Sequence, residues 1–304
     1  MRRTLAPVAA VAAALLLASC SHSGAKPLAT GPGSPSALPS AVSTADPTGR
    51  YVALGDSYSA GPLIPTTDLA GGCARSDHNY PSLVADELNV KKFVDVTCSG
   101  ATTRDITQVQ PTFGGARIPP QIRKVTRDTS LVTIGIGGND LDLFGTLVQS
   151  CTQLRSSDPT GAPCTERIAR NGPHVPDVVR TISGSVAGVL RLIHRRAPDA
   201  QVVVVGYPRI VPDTGTCKAM ALATGDYALG RRINRSLDRA LRIAAERTSS
   251  TYVDMYAASR GHDVCSKDPW VNGIVTQQQK ALAFHPFAAG MRADADAVLA
   301  AVRR

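Results

Sequence analysis

The chain reads as an α/β protein built on a parallel sheet, and three observations carry that reading. Short apolar runs rich in β-branched residues alternate along the chain with stretches of helical spacing. The runs are apolar at consecutive positions, as strands covered on both faces must be. Several end in an abrupt Gly-containing break, at Gly55-Asp56-Ser57, Gly137-Gly138-Asn139-Asp140 and Gly206-Tyr207-Pro208. In open α/β folds such breaks at the carboxyl ends of strands are where ligands bind.

The first residues do not belong to that domain. Met1-Arg2-Arg3 precedes an uncharged apolar run from about Leu5 to Leu17, and Leu17-Ala18-Ser19-Cys20 follows. A basic start, a short apolar core and small residues before a cut describe a secretory signal over residues 1–19, too short to span a membrane. Leu-Ala-Ser-Cys resembles a bacterial lipobox, which implies that Cys20 is acylated and anchors the chain to the membrane. Residues 20–49 are mostly Ser, Gly, Pro, Ala and Thr with no aromatic residue. They cannot bury enough apolar surface to offset their ordering entropy, so a flexible linker is expected. One domain then runs over residues 50–304.

Within it, Tyr51–Leu54 predicts the first strand, and small residues after Ser57 suit a helix start. Pro81–Leu88 predicts a helix with Pro at its beginning. Phe93–Val96 is a second strand, running into Cys98-Ser99-Gly100-Ala101-Thr102. Ser130–Ile136 is strongly β-branched and apolar and reads as a central strand. Cys151–Pro176 is polar and interrupted by Pro and Gly, an expected excursion. Val178–Arg196 predicts an amphipathic helix, Gln201–Val205 a fourth strand, and Tyr227–Arg247 a long helix with an arginine-rich solvated face. Thr251–Asp254 is a fifth strand, and Ala288–Val302 a closing helix.

Composition excludes several function classes. The formal charge of +9 comes with five Phe, seven Tyr and one Trp and without a basic-aromatic cluster, so nucleic acid is not an expected partner. Attraction to anionic envelope lipid or polymer is the milder meaning of the charge. The Gly-x-Gly-x-x-Gly and Gly-Lys-Ser/Thr phosphate loops are missing, so the dinucleotide and phosphate-loop readings lack support. Seven cysteines are odd for an exported chain. Giving Cys20 to a lipid leaves six, for which sequence admits fifteen pairings. Nearest-neighbour pairing (Cys73–Cys98, Cys151–Cys164, Cys217–Cys265) is the simplest, because each bridge staples a local loop. Cysteines at zinc-ligand spacing and an accompanying His pair are lacking, so no metal is expected.

The chemistry concentrates at four places. Ser57 sits at a strand-to-helix turn, where a nucleophile whose product is an oxyanion is well placed. Acyl transfer through serine needs a base, and His285 in Phe284-His285-Pro286 is the candidate. It also needs donors where the carbonyl oxygen becomes negative: the Ser57 and Gly100 N–H groups and the Asn139 side-chain amide are those candidates. Asp56 is expected to hold the turn.

Together, in this order, Gly55-Asp56-Ser57, Gly100, Gly137-Gly138-Asn139-Asp140 and His285-Pro286 resemble the blocks of the SGNH (GDSL) hydrolases over Tyr51 to Ala301. Cys98–Thr102 and Pro269-Trp270-Val271-Asn272-Gly273 are similar to its secreted actinobacterial esterase and lipase branch. The resemblance implies a flavodoxin-like three-layer α/β/α sandwich, no metal or cofactor, Ser57 as nucleophile, His285 as base, and Ser57, Gly100 and Asn139 as the oxyanion hole. Much of the family has Asp three residues before the histidine; here that position is Leu282. The expectation is that a backbone carbonyl, most simply that of Leu282, accepts the imidazole N–H; the alternative is an acid such as Asp263 or Asp268. Trp270 is a candidate for the acyl pocket. The expected protein is a monomeric, extracytoplasmic serine esterase or lipase on lipid-type acyl esters, anchored to the outer face of the membrane or secreted. The alternatives are short-chain or carbohydrate O-acyl esters, or a non-catalytic envelope lipoprotein that binds glycan or lipid.

Overall fold

Five strands lie parallel in one sheet: β1 (Arg50–Gly55), β2 (Lys92–Asp95), β3 (Leu131–Gly135), β4 (Gln201–Val205) and β5 (Thr251–Val253). The computed structural model describes residues 45–112, 114–172 and 174–303. The expected signal sequence, Cys20 and most of the linker lie outside the described residues. Each strand stands where its apolar run placed it, with ends shifted by no more than a residue. The order is β2-β1-β3-β4-β5. From β1 the chain steps to β2 on one side and then to β3 on the other, so a crevice opens past the carboxyl ends of β1 and β3.

Alternation along the strands builds two cores. Val52, Leu54, Val132, Ile134, Val202 and Val204 face one layer, formed by helices α4 (Val175–Arg196) and α5 (Tyr227–Glu246). Tyr51, Ala53, Leu131, Val203 and Val205 face the other, formed by α2 (Tyr80–Leu88) and α6 (Ala288–Val302). Burial of each large aliphatic side chain contributes about 1.5–3 kcal/mol, so the three layers follow from the pattern. Tyr51 carries a hydroxyl into its core and satisfies it on Thr133 Oγ1 at 2.7 Å.

Two elements differ from expectation. The helix after Ser57 is a single turn, α1 (Ser57–Ala60), because Gly61 turns left-handed at φ 69° and closes it. The polar excursion is partly helical: Thr146–Cys151 is a π-turn, and α3 spans Pro163–Asn171. No local side chain caps α3. Asp226, sixty residues on, accepts from Cys164 N at 3.0 Å and Thr165 N at 2.8 Å, a cap that no local sequence window contains.

Three disulfides, Cys73–Cys98, Cys151–Cys164 and Cys217–Cys265, each close a loop at the sheet's carboxyl edge. The first ties the segment after Ser57 to the segment before Gly100. Among the described residues no helix is long and apolar enough to cross a membrane.

Candidate active site

The turn bearing Ser57 is held from three sides. Gly55 pairs with Gly135 across β1 and β3, and neither has room for a side chain: a Cβ would come within 2.4 Å and 2.9 Å of Ser59 Oγ. The two glycines let α1 settle on the strand ends. The Gln121 side chain then bonds both the N–H and the carbonyl of Gly55, each at 2.9 Å. Asp56 caps α1, its carboxylate accepting from Tyr58 N at 2.9 Å.

His285 reaches this turn from the last loop. Its Nε2 lies 2.8 Å from Ser57 Oγ, and its Nδ1 lies 2.7 Å from the Ala283 carbonyl. A carbonyl can only accept, so Nδ1 carries the proton and the Nε2 lone pair faces the Ser57 hydroxyl. The pair can therefore move a proton from Ser57 Oγ to Nε2.

The orienting carbonyl belongs to Ala283, which corrects the expectation for Leu282. The Leu282 carbonyl already accepts from His285 N at 3.1 Å and from Asn272 Nδ2 at 3.1 Å. Phe284, left-handed at φ 58°, makes the intervening turn, and the carbonyl two residues back is the one within reach of the ring. Neither alternative acid approaches His285. Asp263 accepts from Cys265 N at 2.9 Å, and the carboxylate of Asp268 lies 3.5 Å from His262.

Trp270 also stands elsewhere than expected. It stacks on His262 with ring centroids 4.1 Å apart, packs against the α2/α6 core, and does not line the cavity at Ser57. Its motif serves the site through Asn272. That side chain donates to the carbonyls of Val275, Ala281 and Leu282 at 2.9, 3.1 and 3.1 Å, while its N–H donates to the His285 carbonyl at 2.9 Å. One buried amide thus gathers the loop that presents the imidazole.

The cavity beside Ser57 and His285 has a volume of about 90 Å³. Tyr58, Phe144, Val148, Tyr207, Ala283 and Phe284 give it an apolar wall, and Gly138, Asn139 and Gln149 polar edges. Asn139 Nδ2 donates one hydrogen to the Ala101 carbonyl at 2.9 Å, leaving its second for a ligand. Gly100 adopts φ 80°, which favours glycine. It is not among the cavity-lining residues, but the Asn139–Ala101 bond ties its loop to them. Its N–H and that of Ser57 have no hydrogen-bond acceptor among the described residues. Asp140 strengthens the tie, accepting from Thr103 N at 2.8 Å and Thr103 Oγ1 at 2.6 Å. No three His, Cys, Asp or Glu side chains converge as a metal-binding group among the described residues.

Two tyrosines that the sequence did not single out brace the site. The Tyr58 hydroxyl donates to the Phe284 carbonyl, and its ring lies 5.3 Å from the His285 ring. Tyr207, at the end of β4, accepts from Gly138 N at 2.8 Å and donates to Asp56. The signal was available for both: one follows the nucleophile candidate directly, and the other stands at a strand's carboxyl end. Tyr207→Phe leaves the buried Gly138 N–H and Asp56 carboxyl each short of a partner. The variant is expected to lose about 1–3 kcal/mol of stability, read from the urea midpoint; an unchanged midpoint would remove the network from the account.

Burial sets the electrostatics. Burial pushes the Asp56 carboxyl up to about 7, against the pull of the Tyr207 and Tyr58 bonds. Burial pushes His285 from 6.5 down to about 4, against the pull of the Ala283 carbonyl. The folded chain therefore holds this histidine neutral, and the unfolded chain binds the extra proton first. Its contribution to stability is fully present above about 6.5 and is lost as pH falls from there towards about 4. A nucleophile's base must also be unprotonated, so kcat/KM for an ester is expected to rise through about pH 4 and level off above it. A profile still rising steeply at pH 6 to 7 would contradict that environment.

Comparisons with known proteins identify the family. The profile of the GDSL-like Lipase/Acylhydrolase family matches residues 53–293. A lipase of Streptomyces coelicolor, Lipase 2, is 37% identical over 260 residues, covering 83% of this chain and 85% of its own. Among solved structures, the extracellular lipase of Streptomyces rimosus superposes with a TM-score of 0.69 at 30% identity, covering 83% of this chain and 99% of its own. Phospholipase A1 of Streptomyces albidoflavus superposes at 0.65 with 31% identity and the same coverage.

Proposed function

The chain belongs to the GDSL-like lipase/acylhydrolase family and is a carboxylic ester hydrolase, and on that premise we propose that Ser57 and His285 carry the reaction as a dyad. The single observation behind this is the 2.8 Å contact between His285 Nε2 and Ser57 Oγ, with Nδ1 committed to a carbonyl. Ser57 Oγ attacks the ester carbonyl while Nε2 takes its proton. The oxyanion is received by the Ser57 and Gly100 N–H groups and the free Asn139 amide hydrogen. The imidazolium then gives its proton to the departing alcohol. Water, activated by the same nitrogen, releases the acid from the acyl-enzyme.

Such a dyad has no carboxylate behind the imidazole. The Ala283 carbonyl selects the tautomer, and its dipole faces the charge that forms. Burial makes His285 a weak base in the resting site. The oxyanion that develops beside it favours the charged ring, so the imidazolium is stabilised most where the barrier lies.

The substrates are acyl esters of the lipid type, supported by the apolar wall of Phe144, Val148, Ala283 and Phe284 and by relatives named lipase and phospholipase A1. A second reading, short-chain or carbohydrate O-acyl esters, is favoured by the small cavity of about 90 Å³. The lipobox-like Leu17-Ala18-Ser19-Cys20, the linker of residues 20–49 and the paired cysteines support an extracytoplasmic domain, residues 50–304, tethered through an acylated Cys20. Hydrolysis of a p-nitrophenyl ester series from short to long acyl chains, with Ser57→Ala beside it, tests the assignment. Turnover lost in Ser57→Ala supports it, and the chain-length optimum separates the two substrate readings. Equal turnover by the two proteins on every ester would overturn the dyad.

A further inference from the structure

Large apolar side chains are exposed on one edge of this molecule. Among the described residues, those more than a third exposed are Leu69 (63%), Val109, Leu141, Ile274 and Val275 (70%). Exposed apolar residues scattered singly are ordinary; their segregation is the observation here. Leu69 lies in the connection after β1, Val109 in that after β2, Leu141 in that after β3, and Ile274 and Val275 in that between β5 and α6. All four connections leave the carboxyl edge of the parallel sheet, the edge that carries Ser57. The turns at the opposite edge, residues 89–91, 126–130, 197–200 and 247–250, expose no large aliphatic side chain.

Four of these five residues also stand beside a part of the site. Gln110, next to Val109, donates to the Ser99 carbonyl at 2.9 Å, beside Gly100. Leu141 stands two residues past Asn139. The Val275 carbonyl accepts from Asn272, which organises the His285 loop. Leu69 belongs to the segment that Cys73–Cys98 fastens to the Gly100 loop. The apolar residues thus share their loops with the parts of the site.

On the lipid-ester reading, the size of the cavity indicates what meets these loops. At about 90 Å³ it is well below the roughly 300–1,000 Å³ of a pocket that engulfs a drug-sized ligand. A long acyl chain cannot enter it whole, so the rest of the chain must remain in apolar surroundings while the ester reaches Ser57. An aggregated lipid surface provides those surroundings, and exposed Leu, Ile and Val are the side chains that insert into one.

We infer that the loops bearing Leu69, Val109, Leu141, Ile274 and Val275 dock the enzyme on the surface of neutral, aggregated acyl lipid, so that ester groups are drawn from that surface without leaving it. The inference rests on the ester-hydrolase reading for its substrate class. A different patch, Arg231, Arg232, Arg235 and Arg239 along one side of α5, offers anionic lipid a competing contact away from the apolar edge.

The test is flotation with vesicles of pure phosphatidylcholine, using the full chain with Cys20→Ser so that no acyl anchor contributes. Ser57→Ala in the same background keeps the lipid intact. That protein is expected to float with the vesicles, and adding Leu69→Ser, Ile274→Ser and Val275→Ser is expected to cut partitioning about tenfold or more. Ile274→Leu and Val275→Leu together are expected to keep it, which separates lost apolarity from lost folding. With Ser57 restored, the triple serine variant is expected to hydrolyse a soluble short-chain ester at the unaltered rate. No flotation, or flotation indifferent to the triple change, would overturn the docking while leaving soluble-ester turnover intact. Flotation that requires anionic lipid and disappears in Arg235→Ala with Arg239→Ala would overturn it in favour of α5. Failure of the ester-hydrolase reading itself would show separately, as absent turnover of the soluble ester by the unsubstituted protein.

Discussion

On the proposed dyad, alanine at Ser57, at His285, or at both is expected to leave one and the same residual rate, about 10⁴-fold or more below the parent in kcat, with KM little changed. The reason is that the two side chains act on one proton. Without the hydroxyl there is nothing for Nε2 to accept, and without Nε2 the hydroxyl remains a poor nucleophile. The 2.8 Å contact makes them neighbours with no intervening group. Neutral imidazole geometry is secured by Ala283, a main-chain partner that no side-chain substitution removes. The loss at His285 is therefore the loss of the base itself. What survives in the double variant is binding and oxyanion stabilisation. Steady-state kinetics on one soluble ester for the four proteins checks this. Losses that multiply in the double variant, or a His285→Ala enzyme retaining a tenth of its activity, would show that another base serves Ser57.

Removing the third proposed oxyanion donor is expected to cost less but is more diagnostic. Asn139→Ala is expected to lower kcat about 10²- to 10³-fold and to leave KM near its parent value. In the proposed role, the amide hydrogen not used on Ala101 meets an oxygen whose negative charge exists only along the reaction path, so the loss is expected to fall on the barrier and not on ground-state binding. Asn139→Asp removes the donor and adds a negative charge beside the developing oxyanion, and is expected to be worse than alanine. Both variants also lose the bond to the Ala101 carbonyl at 2.9 Å, worth about 0.5–1.5 kcal/mol, so a modest fall in Tm accompanies them. A raised KM with kcat preserved would make Asn139 a wall of the cavity and nothing more.

Much of this was legible before folding. Consecutive β-branched residues at Val202–Val205 announce a strand covered on both faces, and helical spacing at Ile182, Val186 and Ile193 announces what covers it. These signals are local, because side-chain period and secondary structure repeat over the same few residues. The excursion at Cys151–Pro176 was read poorly for the opposite reason: α3 is capped by Asp226 from outside any local window. The one-turn length of α1 was set by Gly61 and by the room that Gly55 and Gly135 leave.

The site divides along the same line. Sequence by itself determined the alternating α/β order, the strand ends on which Ser57, Gly100 and Asn139 sit, and a late histidine in the right company, because motif and periodicity are properties of contiguous residues. Only the tertiary structure decided that Ala283 and not Leu282 orients His285, that Trp270 stacks on His262 away from the cavity, and that Tyr207 joins Asp56 to Gly138. Each of those outcomes depends on which hydrogen-bonding groups remain unclaimed once distant segments have packed. The Leu282 carbonyl was nearest in motif, but Asn272 and the turn had already taken it. Hydrogen-bond capacity is exhausted by partners that the chain brings from far away, and a linear sequence does not record who arrives first.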